Sequence, residues 1–152
     1  MENRLPVEYL DILDNAVDDE IRSSPGVADY SDKLAEVWGI LCHTEEFPDS
    51  LSYEAREQRK VKRLSTIMGL NEAQIKDVFE NGIVDAEETA ELRHRIDWTF
   101  AYASRLFREC DGDYALISRK LNEQNPYLNG KTPFQAIKSG EIHKVLLAAS
   151  VR

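Results

Sequence analysis

The sequence predicts an all-α fold, and three observations carry the prediction. Apolar residues recur at three- and four-residue spacing along most of the chain, capping signatures stand where such patterns begin, and nothing alternates over the length of a strand. With 152 residues, 42% of them apolar, the chain is long enough to bury a core of ordinary domain size. About eight helices are expected, without internal repeats or low-complexity tracts.

Val7, Leu10, Leu13, Val17 and Ile21 form the first stripe, behind Pro6, a favourable first-turn residue. Ser23-Ser24-Pro25-Gly26 ends that helix, and the acids of residues 8–20 fall opposite the stripe, on a solvated face. A second helix runs from about Asp29 to Cys42, with Leu34, Val37, Trp38 and Leu41 on one face. His43 to Leu51 reads as a loop that closes an acidic N-terminal extension, residues 1–50.

From Ser52 to Met68 a basic helix turns Val61, Leu64 and Ile67 or Met68 inward, and Gly69 stops it. Asn71 and Gln74 have the spacing of a capping box, opening a short helix with Ile75, Val78 and Phe79 apolar. Asn81-Gly82 is expected to end it as a left-handed stop. Asp85 to Glu88 is a further capping box. It opens the longest helix, Ala86 to Cys110, about 25 residues and about 38 Å. Leu92, Ile96, Phe100, Ala103, Phe107 and Cys110 form one stripe there, and Trp98, Tyr102 and Leu106 a second. A surface that wide implies a central helix packed on two sides, or a dimer seam. Helices from Tyr114 to Glu123 and from Glu141 to Ser150 complete the series, giving three regions: 1–50, a helix-turn-helix-like 51–84, and 85–152.

The net charge of −9 is unevenly spread: residues 1–50 hold 13 acids against Arg4, Arg22 and Lys33. Arg56, Arg59, Lys60, Lys62 and Arg63 form a basic cluster. Overall acidity argues against broad electrostatic binding to nucleic acid but leaves room for a local basic face. Cys42 and Cys110 have no CxxC spacing and read as buried small hydrophobes in a reducing cytoplasm. The acidic N-terminus is unlike a signal peptide, and no apolar run approaches the roughly 18 residues of a membrane span. A cytoplasmic protein without membrane contact is expected.

Signals for an enzyme are poor. His43, His94 and His143 are far apart in sequence, Cys42 and His43 point about 100° apart on a helix, and no metal-ligand spacing occurs. GxSxG, P-loop and GxGxxG patterns are missing, so neither a cofactor nor a metal is expected. A small helical enzyme using His94 or His143 is the remotest reading.

Val61 to Gly82, VKRLSTIMGLNEAQIKDVFENG, has the outline of a helix-turn-helix. Its DNA-reading candidates are Asn71, Gln74 and Lys76 on the second helix and Arg56, Arg59, Lys60 and Arg63 on the arm before it. Glu72, Asp77 and Glu80 share the second helix and would repel phosphates. The segment is therefore either a DNA reader or an αα-hairpin of the same shape.

Asn125 to Glu141, NPYLNGKTPFQAIKSGE, is turn and cap chemistry. Pro126 disfavours helical geometry at Asn125, Gly130 permits a positive φ, and Thr132, Pro133 and Gln135 make a capped helix start. Together with RIDWTFAYASRLF and DYALISRKLNEQ before it, this stretch resembles the toxin-binding domain of the Xre/MbcA/ParS-type antitoxins. Asn125, Pro126, Leu128, Gly130, Thr132, Pro133, Phe134 and Gly140 match the family pattern position by position, and the resemblance covers about Leu64 to Arg152.

The resemblance implies a bacterial type II antitoxin that neutralises a RES-domain toxin, one that consumes NAD or transfers ADP-ribose. It also implies a dimer, and repression of its own operon through the helix-turn-helix; the alternative is a stand-alone DNA-binding regulator. Because the motif's own residues are scaffold, toxin contacts are expected from Tyr127, Lys131, Lys138, Glu141, Lys144 and Arg152. The chain end after the last helix could then reach into the toxin's cleft.

Overall fold

A computed structural model describes residues 6–43, 47–84 and 86–150, and among them every regular element is helical. The helices are α1 (Val7–Ser23), α2 (Tyr30–Leu41), α3 (Tyr53–Met68), α4 (Glu72–Asn81), α5 (Ala90–Glu109), α6 (Tyr114–Leu121), α7 (Pro133–Lys138) and α8 (Ile142–Ser150). Short 3-10 turns at Glu87–Thr89 and Pro126–Leu128 precede α5 and follow α6.

Local chemistry sets most boundaries. Asp29 caps α2 by accepting from the Asp32 N–H at 2.9 Å, and the Ser52 hydroxyl caps α3 through Ala55 at 3.2 Å. Gly69 ends α3 at φ 63°, ψ 30°, in the left-handed region. Asn71 and Gln74 bond reciprocally, at 3.1 and 3.2 Å, as the capping box required.

Four expectations need correction. Gly82 ends α4 at φ 74° but ψ −165°, so it is not a left-handed helical stop. The long helix begins at Ala90, not Ala86. Thr89 bonds the Ala86 carbonyl through both its N–H (3.2 Å) and its hydroxyl (2.9 Å), which tightens this first turn to 3-10 geometry. The box expected at Asp85 lies outside the described residues. Helix α6 stops at Leu121, two residues short of Glu123, where the Asn122 amide donates to the Ser118 carbonyl at 2.8 Å. Phe107 does not join the buried stripe. It is 37% exposed, and its ring covers Gly112 and lies 6.0 Å from that of Tyr114.

Helix α5 is central, with α1, α2 and α8 packed on it. One continuous core takes in Leu13 and Val17 of α1, Leu34 and Val37 of α2, Phe100 of α5 and Leu146 of α8. Leu64 and Ile67 of α3 and Ile75 and Val78 of α4 belong to the same core. The acidic first helices thus bury their apolar stripes on the helix that leads to the motif.

Two ion pairs reinforce that contact. Lys33 meets Asp97 at 2.6 Å, and the Tyr30 hydroxyl donates to the same carboxylate at 3.2 Å. Arg108 forks onto Glu20, with Nε 3.1 Å from Oε1. Asp11, Asp14, Asp18 and Asp19 face solvent as expected, but Glu20 is 2% exposed. The reason is periodic: Glu20 follows Leu13 by seven residues and Val17 by three, so it stands on the apolar stripe.

Candidate partner-binding site

The loop after α6 closes on itself. The Asn125 side chain accepts from the Tyr127 N–H at 2.9 Å, its carbonyl accepts from Leu128 and Gly130, and its N–H donates to Lys131 at 3.0 Å. Two consecutive residues hold positive φ, Asn129 at 56° and Gly130 at 81°. Only Gly130 was expected there; the Asn-Gly pair itself was the available signal, since Asn tolerates the left-handed region. Leu128 anchors the loop at 1% exposure and Tyr127 is thrown outward at 78%.

The stretch beyond follows the cap chemistry read from the sequence. Thr132 Oγ1 accepts from the Gln135 N–H at 3.2 Å, Gln135 Oε1 accepts from the Thr132 N–H at 2.9 Å, and Pro133 opens α7. Phe134 is half-buried against the core, and Gly140 takes φ 84°.

Of the six expected contact residues, three form one cluster. Glu141 lies 3.2 Å from Lys131 and 3.6 Å from Lys144, across the start of α8. The hydrogen bond from Lys131, helped by the charge of Lys144, holds the Glu141 carboxyl below its ordinary range. Tyr127 stands apart from that cluster, on the wall of a groove of 260 Å³ lined also by Tyr102, Leu106, Lys120, Pro126 and Ala149. Lys138 is exposed at the end of α7, and Arg152 lies outside the described residues.

The groove joins the second stripe of α5 to the end of α8, and sequence periodicity did not reveal it. Tyr102 and Leu106 read as an apolar face, but nothing local said that the Pro126 turn and α8 would form its other walls.

The residues expected to read DNA are partly engaged within the protein. Asn71 and Gln74 cap one another, Lys76 is 3.9 Å from Glu80, and the Lys60 ammonium sits 5.2 Å over the Phe79 ring. Arg56 reaches the Pro48 carbonyl at 3.4 Å. Arg59 and Arg63 face outward on α3.

The histidines are tied into the packing between helices. His43 is half-buried and bridges α2 to α6, with Nδ1 2.9 Å from the Ile40 carbonyl and Nε2 3.0 Å from the Ser118 hydroxyl. His94 stacks on Trp98 at 5.0 Å and His143 lies against the same ring at 6.3 Å, so residues 49 apart in sequence share one aromatic neighbour. Burial lowers the pKa of His143. Cys42 and Cys110 are both buried, and burial pushes the Cys110 thiol up. Among the described residues no group of three His, Cys, Asp or Glu is arranged to hold a metal ion, and no helix is long and apolar enough to cross a membrane.

Comparison with family models, with curated proteins and with solved structures finds no match to this chain.

Proposed function

We propose that this chain is the antitoxin of a type II toxin–antitoxin pair and neutralises a RES-type toxin, NAD-consuming or ADP-ribosylating, by stoichiometric binding. The observation that supports the reading most is the turn Asn125–Lys131. It spends its polar groups on closing itself, buries Leu128 and presents Tyr127 beside a groove that ends on α8. Such a rigid platform with an exposed aromatic suits protein recognition, because little side-chain freedom remains to be lost on binding. The Lys131–Glu141–Lys144 cluster supplies a separate set of charged groups on the same stretch.

The test is co-expression with a RES-domain protein encoded beside this chain. Copurification in fixed stoichiometry, with growth and cellular NAD preserved, is the expected outcome. Separate elution together with unrelieved toxicity would remove the proposal.

Operator binding is the second reading, and the exposed Arg59 on α3 favours it. A gel shift on the chain's own promoter, weakening steeply with salt and abolished by Arg59→Ala with Arg63→Ala, is its signature. No shift at low salt eliminates it.

A further inference from the structure

Helices α3 and α4 enclose an open groove of 610 Å³ that none of the Asn125–Gly140 motif lines. Its floor is apolar, made by Val61, Ala73 and the half-buried Phe79 ring, and Tyr53 stands at its edge with 76% of its surface exposed. Its rim is acidic. Glu57, Glu72 and Glu80 line it against Lys76, itself 3.9 Å from Glu80.

Of the α3 cations, Lys60 leans over the Phe79 ring at 5.2 Å and, with Lys76, offsets part of the charge of the three carboxylates. At 100° per residue, Arg59, Lys62 and Arg63 fall on the side of the helix opposite Glu57 and Val61. The hairpin is therefore two-sided, with a basic back and a groove that joins apolar floor to carboxylate rim.

We propose that the α3–α4 groove docks a basic amphipathic helical segment of a partner protein. Apolar side chains one turn apart fill the floor beside Phe79 and Tyr53, and flanking Lys or Arg side chains meet Glu57, Glu72 and Glu80. Nucleic acid does not fit this chemistry, because its phosphates would face three carboxylates. A second copy of this chain offering the back of α3 does not fit either. Arg59, Lys62, Arg63 and Thr66 include no apolar side chain to occupy the floor. The site is independent of the proposed toxin-binding turn, so either can fail without the other.

The experiment titrates the 152-residue chain with a synthetic helical peptide of about 16 residues, Leu at one-turn spacing and Arg between, and with its Glu-for-Arg counterpart. It is run at about 0.15 M salt, where diffuse surface attraction is screened beyond about 8 Å. The Arg peptide is expected to bind, about tenfold more weakly to Tyr53→Ala and about fivefold more weakly to Glu80→Lys, while the Glu peptide does not bind. Both positions are exposed, so the variants keep the fold, which far-UV circular dichroism checks. Failure of the Arg peptide to bind, or affinity unchanged in both variants, overturns the proposal. So does duplex DNA whose binding Tyr53→Ala weakens, or a concentration-dependent dimer that Tyr53→Ala dissolves, since each assigns the groove another occupant.

Discussion

Gly69 packs so closely on Lys138 that a Cβ at Gly69 would collide with the Lys138 carbonyl oxygen. The turn between α3 and α4 is thereby seated on the end of α7. The Arg95 guanidinium joins them, donating to the Met68 carbonyl at 2.6 Å and standing beside Gly140. The helix-turn-helix-like hairpin and the Asn125–Gly140 motif therefore meet at a contact that only glycine permits.

The glycines should rank by what surrounds them. Gly69→Ala combines a strained positive φ with a backbone collision and is expected to cost about 3 kcal/mol. Gly82→Ala has open space, but φ 74° with ψ −165° is a backbone region essentially confined to glycine, so it should cost about 2 kcal/mol, while Gly26→Ala, with neither strain nor collision, should be near neutral. Urea midpoints of the three variants check the order; a Gly69 variant as stable as the Gly82 variant removes the packing argument.

Arg108→Ala leaves the buried Glu20 carboxylate unpaired and should destabilise by about 2 kcal/mol, less than for a fully buried pair because half of Arg108 is exposed. Glu20→Leu combined with Arg108→Leu should recover most of that loss, since Glu20 occupies an apolar stripe. A double mutant cycle by thermal unfolding measures it.

Acid should weaken the fold in two stages. His143 has a folded pKa below its ordinary 6.5, so the unfolded chain takes up the proton first and stability falls as pH drops below about 6.5. Glu141 is also lowered, from 4.5, so its contribution is present above about pH 4.5 and lost as pH falls through its folded value. His143→Gln should flatten the first stage only, and Glu141→Gln the second only, in denaturation midpoints measured from pH 7 to pH 3.

Tyr127 and Leu128 separate recognition from scaffold. Tyr127→Ala should leave the unfolding temperature unchanged and weaken the proposed toxin complex at least about tenfold. Leu128→Ala, at a fully buried position, should cost about 3 kcal/mol of stability. Calorimetric titration beside thermal melts distinguishes them, and undiminished affinity in Tyr127→Ala would argue against the turn as the contact.

The all-helical class and most helix ends were legible in the sequence. The Asn71/Gln74 and Thr132/Gln135 boxes, the stop at Gly69 and the start at Pro133 all hold, because caps join residues three apart and need no distant partner. The turn Asn125–Lys131 was readable in outline for the same reason, although the left-handed Asn129 was not singled out.

What periodicity left open is which surface each apolar face meets. It marked the stripes of α1 and α5 but not that α1 and α8 lie on α5, nor that Glu20 would find Arg108 across 88 positions of chain. Likewise Gly69 against Lys138, His94 and His143 on one tryptophan, and the groove beside Tyr127 exist only once distant segments have packed. Burial of an apolar face is favoured against any complementary surface, so its free energy fixes that the face is covered and leaves the choice of partner to the tertiary fit.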